Sequence, residues 1–188
     1  MIESDRLFLR PFCEEDRELI CRIYSDEDIL YYTPYDIMSE KEAEDHLRRV
    51  IQDWRSDSAM SMEMAVLEKK TGEKIGRTHI LIDPETDTGM IGWFLLKEYW
   101  GKHYATEITR TLIDYCFHIL NLHRVNAVCN PGNIASWKVL EHCGMRREAY
   151  LRQKCRYRKH GQDYWADELE YAILASEWLT DVGCKLEK

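Results

Sequence analysis

Two short stretches hold residue types and spacings that can do chemistry. The first, "GWFLLKEYWGKHYATE" (Gly92 to Glu107), ends an apolar run, passes through a short loop and begins a helix. The first N–H groups of a helix lack intrahelical partners, and the helix dipole adds positive charge there, so such a junction suits a diphosphate. Lys102 adds a point charge beside Gly101, but His103 stands where glycine-rich anion loops carry a further glycine. The second stretch, "NPGNIAS" (Asn130 to Ser136), sets Asn133 as the N-cap of a short helix with Ser136 in its first turn.

These stretches need a scaffold, and the pattern predicts one. "RLFLRPF" (Arg6 to Phe12) reads as a strand, and "CEEDRELICRIYSD" has helical spacing at Leu19, Ile20, Ile23 and Tyr24. Ser39 with Glu42 three residues on forms a capping box. It opens a helix striped by Ala43, Leu47, Val50, Ile51 and Trp54. "DEDILYYTPYDIM" reads as an aromatic loop between the two helices. "SMEMAVLEK", "IGRTHILID" and "MIGWFLL", joined by the turns "TGEK" and "PETDTG", predict an antiparallel meander. A long helix striped by Tyr104, Ile108, Leu112, Cys116 and Ile119 follows, then the strand "HRVNAVCN" and a helix closed by Gly144. "EAYLRQKCRYR" and "YWADELEYAIL" make a last hairpin around "KHGQD". Strand, helix, strand in the middle implies one parallel pair. The fold class is α+β: a mixed, mostly antiparallel sheet with helices on both faces, as one domain over residues 1–188.

The chain has 188 residues, 45% hydrophobic and 32% charged, an ordinary globular balance. Its net charge of −8 lies in the first third, where residues 1–60 hold 8 Lys+Arg against 16 Asp+Glu. That segment is a poor partner for DNA and attracts cations; a solvated helix face is the plainer account. No apolar run approaches the roughly 20 residues of a membrane span. The start lacks a secretory h-region. Seven cysteines without any C-x-x-C point to a reducing cytoplasm and against zinc. Cys116, Cys129 and Cys143 read as small buried hydrophobes. His118 and His123 lack metal spacing, and no metal is expected.

With "DRLFLRPF", "IGWFLLKEYWGKHYATE", "NLHRVNAVCNPGNIASWKVLEHCGMRREAYLRQ" and "YWADELEYAILASEW" in place, nearly the whole chain resembles the GNAT N-acetyltransferases. The resemblance is to their branch of RimJ/RimL ribosomal-protein acetyltransferases. It implies the acyl-CoA N-acyltransferase fold, with acetyl-CoA as co-substrate between two splayed parallel strands. The diphosphate would meet a loop of form [QR]-x-x-G-x-[GA], here Trp100, Gly101, Lys102, His103, Tyr104 and Ala105, with Thr106 just inside the helix. Trp100 and His103 depart from that form. If position 103 needs positive φ, His is among the less disfavoured substitutes; the loop therefore reads as an anion site with its central glycine replaced. Phe94, Leu95 and Leu96 would offer main-chain groups to the pantetheine, and Trp93 lies on the cleft floor or in the core. Asn133 and Ser136 form the branch's N-x-x-S, with Asn133 on the pantetheine amide and Ser136 near the thioester sulfur. Many relatives outside the branch place a Tyr acid seven residues after this Asn; Leu140 stands there.

Amide formation needs a neutral amine, donors for the oxyanion and a proton for the leaving thiolate. At pH 7 a lysine with pKa near 10.4 costs about 4.6 kcal/mol to deprotonate, and an α-amine with pKa near 7.7 about 1 kcal/mol. The places where relatives carry a base hold Met90 and Cys155, and Glu148 and Asp36 are the available substitutes. A low-pKa acceptor such as a protein N-terminal α-amine is therefore favoured, or a base acting through water. Small-molecule amines (polyamine, aminoglycoside or metabolite) are the alternative acceptors, docking over the N-terminal helices and the aromatic loop. A non-catalytic acyl-CoA-binding module is the alternative outside enzymes. Arg152, Lys154, Arg156 and Arg158 alternate, which would put all four on one strand face. A homodimer through the last hairpin or the N-terminal helices is compatible with the pattern.

Overall fold

The computed structural model describes residues 1–54 and 60–178. Its strands are β1 (Ile2–Glu3), β2 (Leu7–Pro11), β3 (Ser61–Glu68), β4 (Lys74–Asp83), β5 (Thr88–Leu95), β6 (Arg124–Cys129), β7 (Arg146–Lys159) and β8 (Gln162–Leu174). Its helices are α1 (Arg17–Tyr24), α2 (Glu27–Leu30), α3 (Glu40–Trp54), α4 (Tyr104–His118) and α5 (Ile134–His142). The sheet order is β1-β2-β3-β4-β5-β6-β8-β7. The β5–β6 pair is parallel and its other pairings are antiparallel. The mixed α+β expectation holds, with two additions: the edge strand β1, and α2, which occupies part of the aromatic loop.

Local chemistry explains the boundaries. The Ser39 N–H donates to Glu42 Oε2 (2.8 Å) and the Glu42 N–H to Ser39 Oγ (3.3 Å), the reciprocal cap that opens α3. Asp26 caps α2 by accepting from the Asp28 N–H at 2.9 Å. Gly144, at φ +84, ends α5 in the left-handed region. The β7–β8 turn places His160 and Gly161 at φ 50 and 76, matching the right-handed twist of a hairpin.

Two apolar layers sandwich the sheet. On one face, Ile108, Leu112, Cys116 and Phe117 of α4 pack with Ile80, Ile91, Val125, Ala127 and Tyr171. On the other, Leu19, Ile20, Ile23, Leu47 and Val50 of α1 and α3 pack with Ala65 and Leu96. Ile119 departs from its expected stripe: it follows the end of α4 and is exposed. The β7 face also differs from the expected alternation. The register shifts between Leu151 and Cys155, and Gln153 has φ 50. This bulge sets residues 152–154 against Asp167 alone, so Lys154 leaves the ladder while Arg152, Arg156 and Arg158 keep one parity, and all four stay exposed. The six described cysteines are free, with Cys116 and Cys143 buried and Cys129 half-buried; Cys184 lies outside the described residues.

Candidate active site

β5 and β6 pair from Thr88↔Arg124 only to Met90↔Asn126. Beyond that β5 runs on to Leu95 and β6 to Cys129, so the two strands part and leave a gap. Strand alternation decides which main-chain groups face it. The Leu96 N–H donates to Ile75 O (2.9 Å), and the Phe94 carbonyl lies over Gly76, so both residues spend these groups on β4. Antiparallel pairs alternate, which turns Ile91, Trp93 and Leu95 toward the gap. Of Phe94, Leu95 and Leu96, Leu95 alone points there, and its carbonyl accepts the Trp100 indole N–H at 2.9 Å.

The loop after β5 makes a 3-10 turn over Lys97–Tyr99 and reaches α4 through Gly101 (φ +72) and His103 (φ 62). His103 thus occupies the left-handed region that the glycine of such loops supplies. It stands at the N-cap of α4 but makes no side-chain cap. Among the described residues no side chain caps the opening N–H groups of α4, at Tyr104, Ala105 and Thr106. α5 contrasts with this: Asn133 Oδ1 accepts its Ser136 N–H at 3.1 Å.

Side chains brace the loop from outside. Arg6 donates to Glu107 Oε2 (2.6 Å) and to the Lys102 carbonyl (3.2 Å), and its guanidinium lies 4.3 Å from the Tyr104 ring centroid. The Tyr104 hydroxyl donates to Glu68. The Lys102 ammonium lies 5.1 Å over the Tyr99 ring. The main chain of Ala105 and Thr106 accepts from Thr109 Oγ1 (2.8 Å) and the Cys143 thiol (3.6 Å). Trp93 is half-buried against the α4-side core. A groove of about 720 Å³ runs outside α4 from His103 to His118. Its walls carry Glu3, Asp5, Glu107 and Asp114 as well as Arg6 and Arg110, a poor match to a polyanion.

At the other wall, Asn133 and Ser136 sit half-buried at the start of α5, just past the end of β6. The loop before α3 closes over this end. The Tyr157 hydroxyl donates to Tyr32 O (2.9 Å), the Lys159 ammonium to Leu30 O (2.8 Å) and to Tyr35 O, and Asp36 accepts from the His160 and Gly161 N–H groups. The Tyr32 ring lies against Gly132, where a Cβ would meet it at 2.7 Å. Tyr31, Tyr35, Tyr164 and Trp165 stay exposed.

The carboxylates weighed as bases are committed elsewhere. Glu148 grips Arg124 at 2.5 and 3.2 Å, which holds it below its ordinary pKa. The Ile37 N–H, followed by those of His160 and Gly161, does the same for Asp36. Sequence reading passed over Glu168 on β8, whose Oε2 accepts the Cys155 thiol at 2.8 Å. Burial and this partner push the Cys155 thiol up to about 11. The pairing across the bulge could not be read from spacing. Among the described residues no group of His, Cys, Asp and Glu is disposed to hold a metal, and no helix is long and apolar enough to cross a membrane.

The fold that carries this site is shared with known proteins. Residues 6–146 match the family described as "Acetyltransferase (GNAT) domain". The chain is 31% identical over 177 residues to the uncharacterized N-acetyltransferase YnaD of Bacillus subtilis, covering 94% of this chain and 98% of that one. A GNAT-family acetyltransferase structure from Bacillus anthracis superposes with a TM-score of 0.81 at 29% identity, covering 94% and 99% of the two chains. A spermidine N-acetyltransferase from Vibrio cholerae, in complex with CoA and spermine, shares the fold with a TM-score of 0.78 at 23% identity, covering 94% and 99%.

Proposed function

Because the chain belongs to the GNAT acetyltransferase family, whose members use acetyl-CoA, we propose that it transfers the acetyl group to a primary amine of low pKa. A protein N-terminal α-amine, the acceptor type of the RimJ/RimL branch, is the leading case. The observation that carries the reading is the parted β5–β6 pair with the uncapped N-terminus of α4 at its mouth. The diphosphate takes the amides from Gly101 to Thr106, and the pantetheine pairs with Trp93 and Leu95. Asn133 and Ser136 meet the pantetheine amide and the sulfur.

The amine nitrogen attacks the thioester carbonyl carbon. A main-chain N–H of β5 facing the gap stabilises the oxyanion. The C–S bond then breaks; the thiolate takes a proton from the Ser136 hydroxyl, directly or through water, and the proton that the amine nitrogen sheds on becoming an amide restores that hydroxyl. With Asp36 and Glu148 tied up, the chain supplies no free carboxylate at those positions to deprotonate a lysine. That favours an acceptor already largely neutral at pH 7 to 8. Thiol release from acetyl-CoA with a seryl N-terminal peptide, spermidine and an aminoglycoside tests this. The peptide should be turned over fastest, with kcat/KM rising to a plateau near the peptide's own amine pKa of about 8. Faster turnover of spermidine moves the acceptor to polyamines. Heat stabilisation by CoA with turnover of no amine would identify a binding module.

A further inference from the structure

A strap of chain, residues 30–36 between α2 and α3, touches both lips of the gap on the α1–α3 face of the sheet. On the β5 side the Tyr35 ring lies 6.2 Å from the Phe94 ring and 5.8 Å from the Tyr24 ring, edge to face in both cases. Phe94 packs against the α1–α3 layer and lies beyond Met90, the last residue of β5 paired with β6. On the β6 side the Tyr32 ring lies against Gly132, in the turn that leads from β6 to Asn133 and α5. A Cβ on Gly132 would meet that ring at 2.7 Å, so the contact is close.

The strap's own bonds are local. The Thr33 N–H donates to Leu30 O (2.9 Å), the Tyr35 N–H to Thr33 Oγ1 (3.3 Å) and the Ile37 N–H to Asp36 Oδ1 (2.9 Å). Its hold across the gap comes from the tip of the β7–β8 hairpin, 124 to 129 residues further along the chain. The half-buried Lys159 ammonium has three N–H donors. It gives one to Leu30 O (2.8 Å) and one to Tyr35 O, so a single cation clasps both ends of the arc that carries Tyr32. The Tyr157 hydroxyl takes the middle of the arc, donating to Tyr32 O at 2.9 Å. Asp36 accepts from the His160 and Gly161 N–H groups at 3.3 and 3.4 Å. Charged donors make the stronger bonds, so Lys159 carries more of the hold than Tyr157.

We propose that Lys159 and Tyr157 are positioning residues for the acceptor: they hold the strap across the gap, and the Tyr32 and Tyr35 rings so held form the wall that seats the chain behind the acceptor amine. The inference rests on the amine-acetylation reading above and adds the face from which the acceptor comes. With the α4 layer of the core packed on one face, the amine reaches the thioester from the other, along the strap. A wall fixed in advance by the hairpin spares the acceptor the cost of ordering that segment on binding. Lys159 and Tyr157 bond to the strap and not to the groups assigned to the cofactor, so losing either donor weakens acceptor binding and leaves CoA binding intact.

The test compares Lys159→Met and Tyr157→Phe, which keep most of each side chain and remove the donor. KM for a seryl N-terminal peptide should rise about tenfold in the first and about fivefold in the second, with kcat within about threefold and CoA affinity within about twofold. Lys159→Arg keeps charged donors and should recover most of the loss. Tyr157→Phe keeps its buried ring, so it tests the strap even where Lys159→Met fails to fold. A second measurement needs no turnover: chymotrypsin cleavage after Tyr31, Tyr32 and Tyr35 in the CoA-saturated proteins. It should be about fivefold faster in Lys159→Met than in wild type, and the seryl peptide should slow it in wild type. A raised KM together with faster strap cleavage supports the proposal. An unchanged KM overturns it, and so does a raised KM with cleavage unchanged or with CoA affinity lost in parallel. CoA binding without acetylation of any amine would sink the functional reading instead. The strap is then decided by the wild-type cleavage: slowing by the peptide supports its role, and no slowing overturns it.

Discussion

Replacing His103 by glycine separates what the loop backbone does from what the imidazole does. The residue sits at φ 62, ψ 13, just before α4. An L-residue in the left-handed region costs about 1–2 kcal/mol, toward the lower end for His. Glycine removes that cost but gives back about 0.5–1 kcal/mol of unfolded-state freedom. With about 1 kcal/mol removed against about 0.5 kcal/mol given back, the net expectation for His103→Gly is a gain of about 0.5 kcal/mol. For a chain of this size that is a rise in Tm of roughly 1–2 °C. His103→Ala keeps a Cβ in the same backbone and shows no such gain. The assay is a thermal melt of the three proteins with and without CoA, with Kd taken from the ligand dependence of Tm. If main-chain amides grip the diphosphate, CoA affinity in His103→Gly stays within about threefold of wild type. A Tm that stays flat or falls would refute the left-handed strain. A loss of CoA affinity beyond about tenfold would refute the backbone grip and assign the anion to the imidazole.

Three further outcomes follow from named contacts. Asp16 is fully buried and accepts from Arg10 Nη1 (2.7 Å), Arg10 Nη2 (2.8 Å) and the Cys13 N–H (2.9 Å), with Lys74 at 2.9 Å. Burial alone would raise its pKa, but these partners outweigh it and bring it down to about 2. A depressed folded pKa stabilises above the unfolded value near 4 and is lost as pH falls through 2. Asp16→Asn should therefore cost about 2–3 kcal/mol in urea melts at pH 7, with the difference shrinking below pH 4. Gly92→Ala puts a Cβ 2.8 Å from His79 Nε2, and closer still to its Cε1, and forces that ring off the strand; it should cost at least about 1 kcal/mol, as read by melts. Asn133→Ala removes the cap of α5 and should lower stability by about 1 kcal/mol, whereas Asn133→Asp keeps the cap and recovers most of it in the same melts.

The sequence alone determined the mixed sheet, its order of elements and the loop-to-helix junction. Those features rest on local rules: alternation in β3–β5, the Ser39 cap, the glycine after α5 and an α4 stripe four residues apart. For residue 103 the resemblance raised a left-handed backbone only as a condition, and the structure decided it at φ 62. Long-range pairing was not legible. Spacing could not show that the β7 bulge would bring Cys155 onto Glu168, or that Asp36 would be spent on the far hairpin. Nor could it show that the His79 ring would lie against Gly92 of the next strand. Which carboxylates are occupied and which polar atoms are left over depends on register summed across four strands, and a one-residue slip in any of them would turn these side chains to the opposite face.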